Sequence, residues 1–445
     1  MKRIPLVLAG LLVPAALAAQ LPDPSTRALG MGDAYGAIAR GYEAVYWNPS
    51  ALAMIGRPGL SIGLPHLDLR VGSNAYGFAD FKKYAHSFLS QADKQTLYDK
   101  ITGSTLDLTT HVGMAPFGLS IGPFGLLVGA AGEVNGNIGK DAVRLALFGN
   151  APRPNESTNF SAAGSLGRAW AATTAAGSFA LPFSLPVGRL AVGVTYKYVV
   201  GNFLGFAQDL GTQIAFNPLF TATEAGQALY TNYGTGCNNI QPLGTGPCGG
   251  KAGNGYGVDL GATLQLLHGG ITVSAMVVNA FGSMTWDQSR LAYDRNLRQS
   301  QQLSSGKVQD TVLVKQSLDA NGISANAQAS ALRDSLLANA NFAKVARAGF
   351  ALHSGKLTLA ATGQIRLKEG LDEQSEKLLS AGVEYRLLGI IPLRVGGSTD
   401  FAGATMLSAG TGLQLLGINL DLSAANISGT THPGVRLGAG VGLIW

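Results

Sequence analysis

The 445-residue sequence carries little charge, and it has no long hydrophobic run beyond its first twenty residues. Charged residues make up only 13% of the chain, whereas 46% are hydrophobic and 61 residues are glycine. A helix that spans a membrane needs about 18 or more consecutive apolar residues, so the lack of later runs excludes helical membrane spans. The net charge of +6 is small and scattered, which argues against nucleic acid as a partner.

The N-terminus is typical of a cleaved export signal. A short basic start precedes an almost unbroken apolar run over residues 4–17, and small residues follow where a signal peptidase cuts. We expect cleavage after Ala18 or Ala19, which assigns residues 1–19 to a signal peptide. The run is shorter than the ~20 apolar residues of a spanning helix, and this disfavours a retained anchor.

Cysteine is scarce as well, since only Cys237 and Cys248 occur, within the glycine-rich stretch 234–255. In an exported protein this pair predicts a disulfide-closed loop. A metal or redox site would need closer spacing and more ligands, and the six histidines are scattered, so we expect no metal and no cofactor. The G-x-S-x-G strings at 59–63 and 118–122 lack the strand–turn–helix setting of a catalytic serine, so we do not expect an enzyme.

The last segment of the chain alternates strictly between large apolar residues and small or polar ones. One face carries Val435, Leu437, Ala439, Val441, Leu443 and Trp445. The other face carries Arg436 and three glycines. A period of two predicts a β-strand with one apolar face. Because this strand ends on the aromatic Trp445, it resembles the signal that barrel-assembly machinery recognises, and we expect that machinery as a partner.

The same alternation recurs along most of the chain and predicts an all-β fold. Strands are predicted near residues 59–80, 107–117, 120–134, 162–181, 188–216, 255–266, 270–282, 345–353, 356–367, 376–387, 390–400, 403–415, 417–427 and 434–445. Lipid cannot satisfy free backbone groups, so strands that face it must close into a barrel. We therefore predict a transmembrane antiparallel up-and-down β-barrel of about 14 strands, a multi-pass protein of a Gram-negative-type outer membrane.

The predicted connections alternate in length, as they do in outer-membrane barrels. Short joints are expected on the periplasmic side. Long extracellular loops are expected over residues 82–106, 135–161, 218–254 and 283–344. The segment 188–216 is too long for one membrane span, so Gly201 is predicted to mark a bulge or kink within it.

Residues 20–58 do not alternate, and we expect them to fold back into the lumen as a plug ahead of a barrel over residues 59–445. The residues assigned to this plug are Gly30, Gly32, Trp47, Asn48, Pro49 and Ser50. They resemble the hatch of FadL-type long-chain fatty-acid transporters, and they are equally similar to the related PorV and UPF0164/DUF5723-like outer-membrane proteins. That superfamily has Asn-Pro-Ala where this chain has Asn48-Pro49-Ser50, a change between small residues.

The resemblance implies passive uptake of small hydrophobic molecules similar to long-chain fatty acids, with outer-membrane lipid as the surroundings and without energy coupling. Apolar residues of two partly helical loops are the candidates for ligand capture. They are Phe88, Leu89, Leu332 and Leu336, which could equally pack the loop helices onto the barrel rim. Two alternatives stay open: a PorV-like barrel that binds a protein partner in secretion, and a structural barrel with a sealed lumen.

Several charged residues fall on the strand faces that should point into the lumen. They are Arg189, Lys197, Asp259, Arg366, Glu384, Arg394, Asp421 and Arg436. One interpretation is that they pair with one another and hold the plug. The other is that a basic cluster among them binds the carboxylate of a ligand.

Overall fold

The computed structural model describes most of the chain. The described residues are 23, 25–84, 88–149, 158–217, 219–232, 251–338, 340–371, 375–429 and 433–445. The expected signal peptide and the expected disulfide between Cys237 and Cys248 lie outside these residues.

Nineteen β-strands occur in the described ranges. In chain order they are β1 (Leu60–Ser73), β2 (Thr105–Ile121), β3 (Phe124–Gly139), β4 (Thr158–Ser161), β5 (Leu166–Leu185), β6 (Gly188–Asp209), β7 (Gln213–Asn217), β8 (Leu219–Thr231), β9 (Gly253–Leu266), β10 (Ile271–Trp286), β11 (Leu291–Gln302), β12 (Val308–Leu318), β13 (Lys344–Ser354), β14 (Leu357–Lys368), β15 (Lys377–Leu387), β16 (Ile391–Thr399), β17 (Thr405–Leu415), β18 (Ile418–Ser428) and β19 (Gly434–Ile444). Fourteen of them pair antiparallel into a ring, which closes where β1 pairs with β19 and omits β4, β7, β8, β11 and β12. The predicted 14-stranded antiparallel barrel is therefore confirmed.

The helices are short. In the same described part they are α1 (Thr26–Gly30), α2 (Ala44–Trp47), α3 (Phe78–Tyr84), α4 (Gln91–Asp99), α5 (Lys140–Phe148), α6 (Ala320–Ala325) and α7 (Ala327–Ala338). Short 3-10 helices cover Gly41–Glu43, Pro49–Ala53, Leu267–Gly269 and Gln288–Arg290. Among the described residues, no helix has the length and apolarity needed to cross a bilayer.

Tight turns join the ring strands at one end, and long segments join them at the other, so the end with the tight turns is periplasmic. Five strands at the extracellular end extend the sheet beyond the ring, although the alternation pattern assigns much of their sequence to long loops. β8 pairs with the outer end of β6 and with β11, and β12 pairs with β11. β11 and β12 are rich in polar residues, and no residue of β12 is fully buried. They therefore lack the apolar alternation that identifies a membrane strand.

The irregularity predicted at Gly201 is present. β6 runs for 22 residues, and its pairing with β5 shifts where Gly201 and Phe203 face the adjacent residues Ala172 and Ala171. Asn202 is the extra residue of this bulge, which bends the strand and increases its twist. Beyond it, β6 stays paired with β5, and on its other side the partner changes from β9 to β8.

The outer surface of the ring is apolar. On three neighbouring strands, alternate positions carry large aliphatic side chains that are each at least 39% exposed, namely Leu407, Leu413, Leu415, Ile418, Leu420, Leu422 and Leu437. Comparable residues lie outward on the other strands, for example Val192 and Val194 on β6. Water-soluble proteins rarely expose such a continuous apolar belt, whereas lipid solvates it. The chain is therefore an outer-membrane β-barrel.

The N-terminal segment, residues 25–58, lies inside the ring. On one side Ser423 donates its hydroxyl to the carbonyl oxygen of Thr26, at 2.8 Å. On another side Thr195 donates to the carbonyl oxygen of Val45, at 3.2 Å. Ser423 is the sixth residue of β18 and Thr195 the eighth of β6, both counted from the periplasmic end, so the segment occupies the periplasmic half of the lumen.

Glycines on the inner wall make room for this segment. A Cβ atom on Gly193 would lie 2.4 Å from the main-chain nitrogen of Ser50, and one on Gly396 would lie 2.1 Å from the main-chain carbon of Met31. Gly32 of the segment has φ +68°, a conformation that favours glycine, and its own Cβ would lie 2.4 Å from the main chain of Gly397. Main chain therefore packs on main chain, which explains why the lumen face of these strands is rich in glycine.

A single methyl group at one of these contacts should displace the segment. We predict that Gly193→Ala weakens its docking by about 1–3 kcal/mol, because overpacking forces the backbones apart. Hydrogen exchange of residues 25–58 in the folded, detergent-solubilised protein measures this loss. The matched control is Gly177→Ala on β5, where a Cβ would have no neighbour within 4 Å. Equal protection of the segment in both variants would contradict the close packing.

Candidate functional site

The motif Asn48-Pro49-Ser50 attaches the N-terminal segment to β9. The Asn48 side chain accepts the Ser50 main-chain N–H at 3.2 Å and so caps the 3-10 helix that starts at Pro49. Its amide donates to the hydroxyl of Thr263 at 3.0 Å, and the Ser50 hydroxyl lies 2.7 Å from the same oxygen. Ser50 contributes a hydroxyl here that the alanine of the superfamily motif cannot provide.

Trp47 lies at the centre of the segment. Its ring packs edge-on against Tyr35 and Tyr46, with centroids 5.6 Å and 5.4 Å away. Its indole N–H donates to Asp23 at 2.8 Å. The guanidinium of Arg347, which extends inward from β13, stacks 5.0 Å from the Trp47 ring, an arrangement that attracts the cation to the aromatic face. Trp47 thus joins the start of the segment to the barrel wall.

A first ion-pair network ties α1 to three strands. Arg27 donates to both oxygens of Glu384, with its Nε 2.7 Å and its Nη2 2.8 Å away. Arg394 donates to the same carboxylate at 2.7 Å and to Asp421 at 2.5 Å. The side chains of Glu384 and Arg394 are fully buried, so these charges depend on one another.

A second network surrounds one arginine on β19. Arg436 donates to Asp68 of β1 at 2.8 Å and to Asp33 of the N-terminal segment at 2.8 Å. A third carboxylate, Asp23, lies 3.5 Å from the same guanidinium. Three acidic groups therefore share one cation, and two of them belong to the N-terminal stretch of the chain rather than to the wall.

Burial changes the proton affinity of acidic groups in the N-terminal stretch. Burial raises the pKa of Asp23 to about 8, because the loss of hydration outweighs the attraction of Arg436. Burial also raises the pKa of Glu43, whose carboxylate accepts a hydrogen bond from the Tyr35 hydroxyl at 2.5 Å. The pKa of Arg40 is lowered to about 10, again by burial and secondarily by the charge of Arg27.

The inward residues of β6 show how the lumen changes from one end to the other. Arg189 is periplasmic, Gly193 and Thr195 contact the N-terminal segment, and Lys197 pairs with Asp259 at 2.6 Å. Farther out the wall becomes apolar. The lumen therefore contains a packed segment, a polar layer above it and an apolar layer toward the outside.

The apolar layer, here called the outer-lumen cluster, combines wall residues with a returning loop. Its buried members are Trp170, Ala171, Ala172, Val199, Leu204, Ala252, Met284, Trp286 and Ala340, and Phe203, Leu336, Leu337, Phe342 and Leu371 pack against them. The loop after α7 is fixed inside the lumen, because the Trp286 indole donates to the carbonyl oxygen of Ala340 at 2.8 Å. The indole N–H of Trp170 is buried without a hydrogen-bond partner in the described part of the chain.

The four residues expected to capture ligand are not all brought together. Phe88 is fully exposed between α3 and α4, and Leu89 follows it, half-buried. Leu332 and Leu336 share one cluster, since both pack with buried residues of β8, β11 and α6. Of the four, Leu336 packs against the outer-lumen cluster. Their role in capture stays a prediction.

Seven of the eight charged residues expected in the lumen take part in ion pairs: Lys197, Asp259, Arg366, Glu384, Arg394, Asp421 and Arg436. The remaining one, Arg189, lies 3.5 Å from the carbonyl oxygen of Ala53. The partners Asp23, Arg27 and Asp33 were not anticipated, because they lie in a segment without periodicity. Asp68 could have been found, since it occupies an inward position on β1. Within the described residues, no group of three or more His, Cys, Asp or Glu side chains could hold a metal ion.

A protein-family model described as a family of unknown function, DUF5723, matches residues 53–420. The chain belongs to this family. The match confirms the DUF5723-like part of the resemblance, and it covers the barrel from the end of the N-terminal segment to β18. No curated protein matches this DUF5723 chain in sequence.

Two solved structures resemble this chain over nearly its whole length. The Pseudomonas putida toluene transporter TodX is 9% identical and has a TM-score of 0.43, with 96% of this chain and 98% of that chain covered. A FadL homologue from Pseudomonas aeruginosa is 11% identical and has a TM-score of 0.43, with 97% and 100% covered.

Loss of Arg436 should release the N-terminal segment. We predict that Arg436→Ala destabilises its docking by about 3–5 kcal/mol, because carboxylates are left buried without their cation. Arg298→Ala is the control, since Arg298 and its partner Asp310 are 40% and 43% exposed and such pairs contribute about 0–1 kcal/mol. Limited proteolysis of the folded protein reports the release. Equal resistance of residues 25–58 in both variants would mean that the network does not hold the segment.

Docking of the segment should weaken as the pH rises. The pKa of Asp23 is 3.8 in a free carboxyl and about 8 in the fold, so between these values the docked state binds a proton that the released state lacks. Docking should therefore lose up to about 1.4 kcal/mol per pH unit in this window, and the loss should stop above it. Hydrogen exchange between pH 5 and pH 9 measures the slope. In Asp23→Asn the slope should be smaller, and an unchanged slope would assign the titration to another group.

Proposed function

We propose that this outer-membrane barrel mediates passive uptake of small hydrophobic molecules, and that the N-terminal segment acts as its hatch. The outer-lumen cluster is the observation that carries the proposal. A barrel that passes hydrophilic solutes has a polar, water-filled lumen. Here Trp170, Phe203, Phe342 and Trp286 pack together in the outer half of the lumen, so an apolar solute that displaces the loop after α7 would contact aromatic rings rather than polar groups.

The outer-lumen cluster also contains a polar group that would orient a bound ligand. Ligand pockets are mostly apolar and contain a few polar groups that fix the position of the bound molecule. The unpartnered indole N–H of Trp170 is such a group, because it can donate to a ligand oxygen while the rings contact the chain or ring of the ligand. Phe342, whose ring centroid lies 6.3 Å from that of Trp170, belongs to the loop that would have to yield when the ligand enters.

Passage to the periplasm requires the hatch to shift. The N-terminal segment fills the periplasmic half of the lumen, and the two ion-pair networks keep it there. A local movement near Asn48 and Ser50 would open a path along β9 without breaking either network, because this anchor consists of neutral hydrogen bonds. Neutral hydrogen bonds are weaker than charge-assisted ones, so this side of the hatch is the one we expect to yield first.

A second candidate function is binding of a protein at the cell surface. The observation in its favour is the extracellular sheet of β4, β7, β8, β11 and β12, which a simple uptake channel does not need. In that case the paired charges would seal the lumen permanently, and the barrel would serve as a membrane anchor for the sheet.

An uptake assay with proteoliposomes distinguishes the transport function from the surface-binding function. We predict that the protein accelerates entry of a labelled long-chain fatty acid and of toluene relative to empty liposomes. The hatch can be locked with Ser50→Cys and Thr263→Cys, whose hydroxyl oxygens lie 2.7 Å apart in the native chain, in a background with Cys237 and Cys248 replaced by serine. Oxidation should abolish uptake, and a reductant should restore it.

The single variant Ser50→Cys is the matched control, because it cannot form the cross-link. It should transport under both redox conditions. Uptake by the unlocked protein that does not exceed that of empty liposomes would reject the transport function and favour the surface-binding one. Uptake that persists in the cross-linked protein would show that the path avoids this side of the hatch.

A further inference from the structure

Five basic residues surround the periplasmic mouth of the barrel, here called the basic mouth. They are Arg40, Arg57, Arg189, Lys356 and Arg386. Arg57 precedes β1, Arg189 is the second residue of β6, Lys356 lies in the turn between β13 and β14, and Arg386 is the second-last residue of β15. Arg40 lies on the N-terminal segment, so the group includes both the wall and the segment inside it.

Acidic residues do not neutralise this mouth. The acidic side chains Glu384, Asp421 and Glu43 are each already bonded and largely buried. Glu384 and Asp421 belong to the first ion-pair network, with side chains that are 0% and 14% exposed. Arg386 joins this network, since its Nε lies 3.3 Å from Glu384, and the two acidic groups therefore face three cations, Arg27, Arg386 and Arg394. Glu43 accepts the hydroxyl of Tyr35 and is 8% exposed. The positive charge at the mouth therefore remains accessible to an external anion.

Three of the guanidinium groups contact only carbonyl oxygens of the N-terminal segment. Arg40 donates to Ala39 at 2.6 Å. Arg57 donates to Leu52 at 3.2 Å, and Arg189 lies 3.5 Å from the oxygen of Ala53. In the described part of the chain, none of these three arginines has a carboxylate partner. A carbonyl oxygen carries no net charge, so a carboxylate would be the stronger acceptor for each of them.

The side chains of Arg189 and Arg386 point toward the lumen rather than toward lipid headgroups. Arg189 has the same strand parity as Gly193 and Thr195, which contact the N-terminal segment, and Arg386 has the parity of the buried Glu384. The intervening residue Tyr385 faces outward and is 46% exposed. Phosphates of the inner leaflet are therefore not the natural partners of these two arginines.

The spacing of the charges favours an extended anion. Four ring strands, β9, β10, β13 and β14, lie between β6 and β15, so Arg189 and Arg386 are on well-separated parts of the rim. The single carboxylate of a fatty acid cannot reach both, whereas a chain with repeated carboxylates can. Several accessible cations around one opening also concentrate a polyanion electrostatically.

We propose that the basic mouth is a docking site for an acidic segment of a periplasmic protein. Carboxylates of the partner pair with Arg189 and Arg386 on the wall and with Arg40 and Arg57 of the N-terminal segment. Because Arg189 on the wall otherwise donates to Ala53 of the segment, the partner competes with a contact between the wall and the segment. Docking from the periplasm therefore loosens the N-terminal segment, whether or not the lumen carries a hydrophobic molecule.

The test uses the full-length protein in nanodiscs and a fluorescent oligoglutamate peptide, with binding measured by fluorescence anisotropy. We expect binding that weakens with salt, since exposed ion pairs are screened. Arg189→Gln combined with Arg386→Gln should weaken it about tenfold. The matched control is Arg290→Gln with Arg298→Gln, which removes two exposed cations from the extracellular side and should leave the affinity unchanged. Heat-modifiable migration on gels confirms that each variant is folded.

Three results would overturn the proposal. The first is no binding of oligoglutamate by the wild-type protein, including the case in which only polyphosphate binds. The second is an equal loss of affinity in the mouth variant and in the extracellular variant, which would indicate nonspecific attraction. The third is unchanged maleimide labelling of Ser50→Cys when oligoglutamate is added, because a partner that loosens the segment should expose this residue. None of these results depends on uptake of hydrophobic molecules.

Discussion

The contact between the backbone of the N-terminal segment and the glycine-lined wall determines the rest of the lumen. Because Gly193 and Gly396 let main chain approach main chain, the segment packs directly against the inner wall of the barrel. Charged groups at this depth are then removed from water, and each needs a partner. The two networks around Glu384 and Arg436 follow from this requirement, as does the raised pKa of Asp23.

The distribution of these charges gives the two sides of the segment different properties. Toward the centre of the barrel, three aspartates share the single guanidinium of Arg436, so acidic groups outnumber cations in this network. Toward the periplasm, arginines outnumber carboxylates, and three of the arginines contact carbonyl oxygens of the segment instead. Protonation can therefore act on the segment from one side, and an external anion can act on it from the other. The anchor at Asn48 and Ser50 uses neutral hydrogen bonds and involves no ion pair.

The barrel could be predicted from the sequence because lipid on one face and a lumen on the other impose a strict period of two. The predicted strand near 434–445 and the observed β19 differ by one residue, and the bulge at Gly201 followed from a strand too long for one span. β11 and β12 could not be predicted in this way, since water surrounds much of their surface and no alternation is required. Nor could Arg27 and Asp33 be assigned, because pairs such as Arg27 with Glu384 join residues 357 positions apart that only barrel closure brings together.

The central claim is that the N-terminal segment closes the lumen, and ion conductance tests it most directly. If the packed backbone and the paired charges close the lumen as we propose, the full-length protein reconstituted in a planar bilayer should show no sustained conductance at neutral pH. A variant without residues 25–54 serves as the open reference, provided that it folds. Steady conductance of the full-length protein at the level of the open reference would contradict the account.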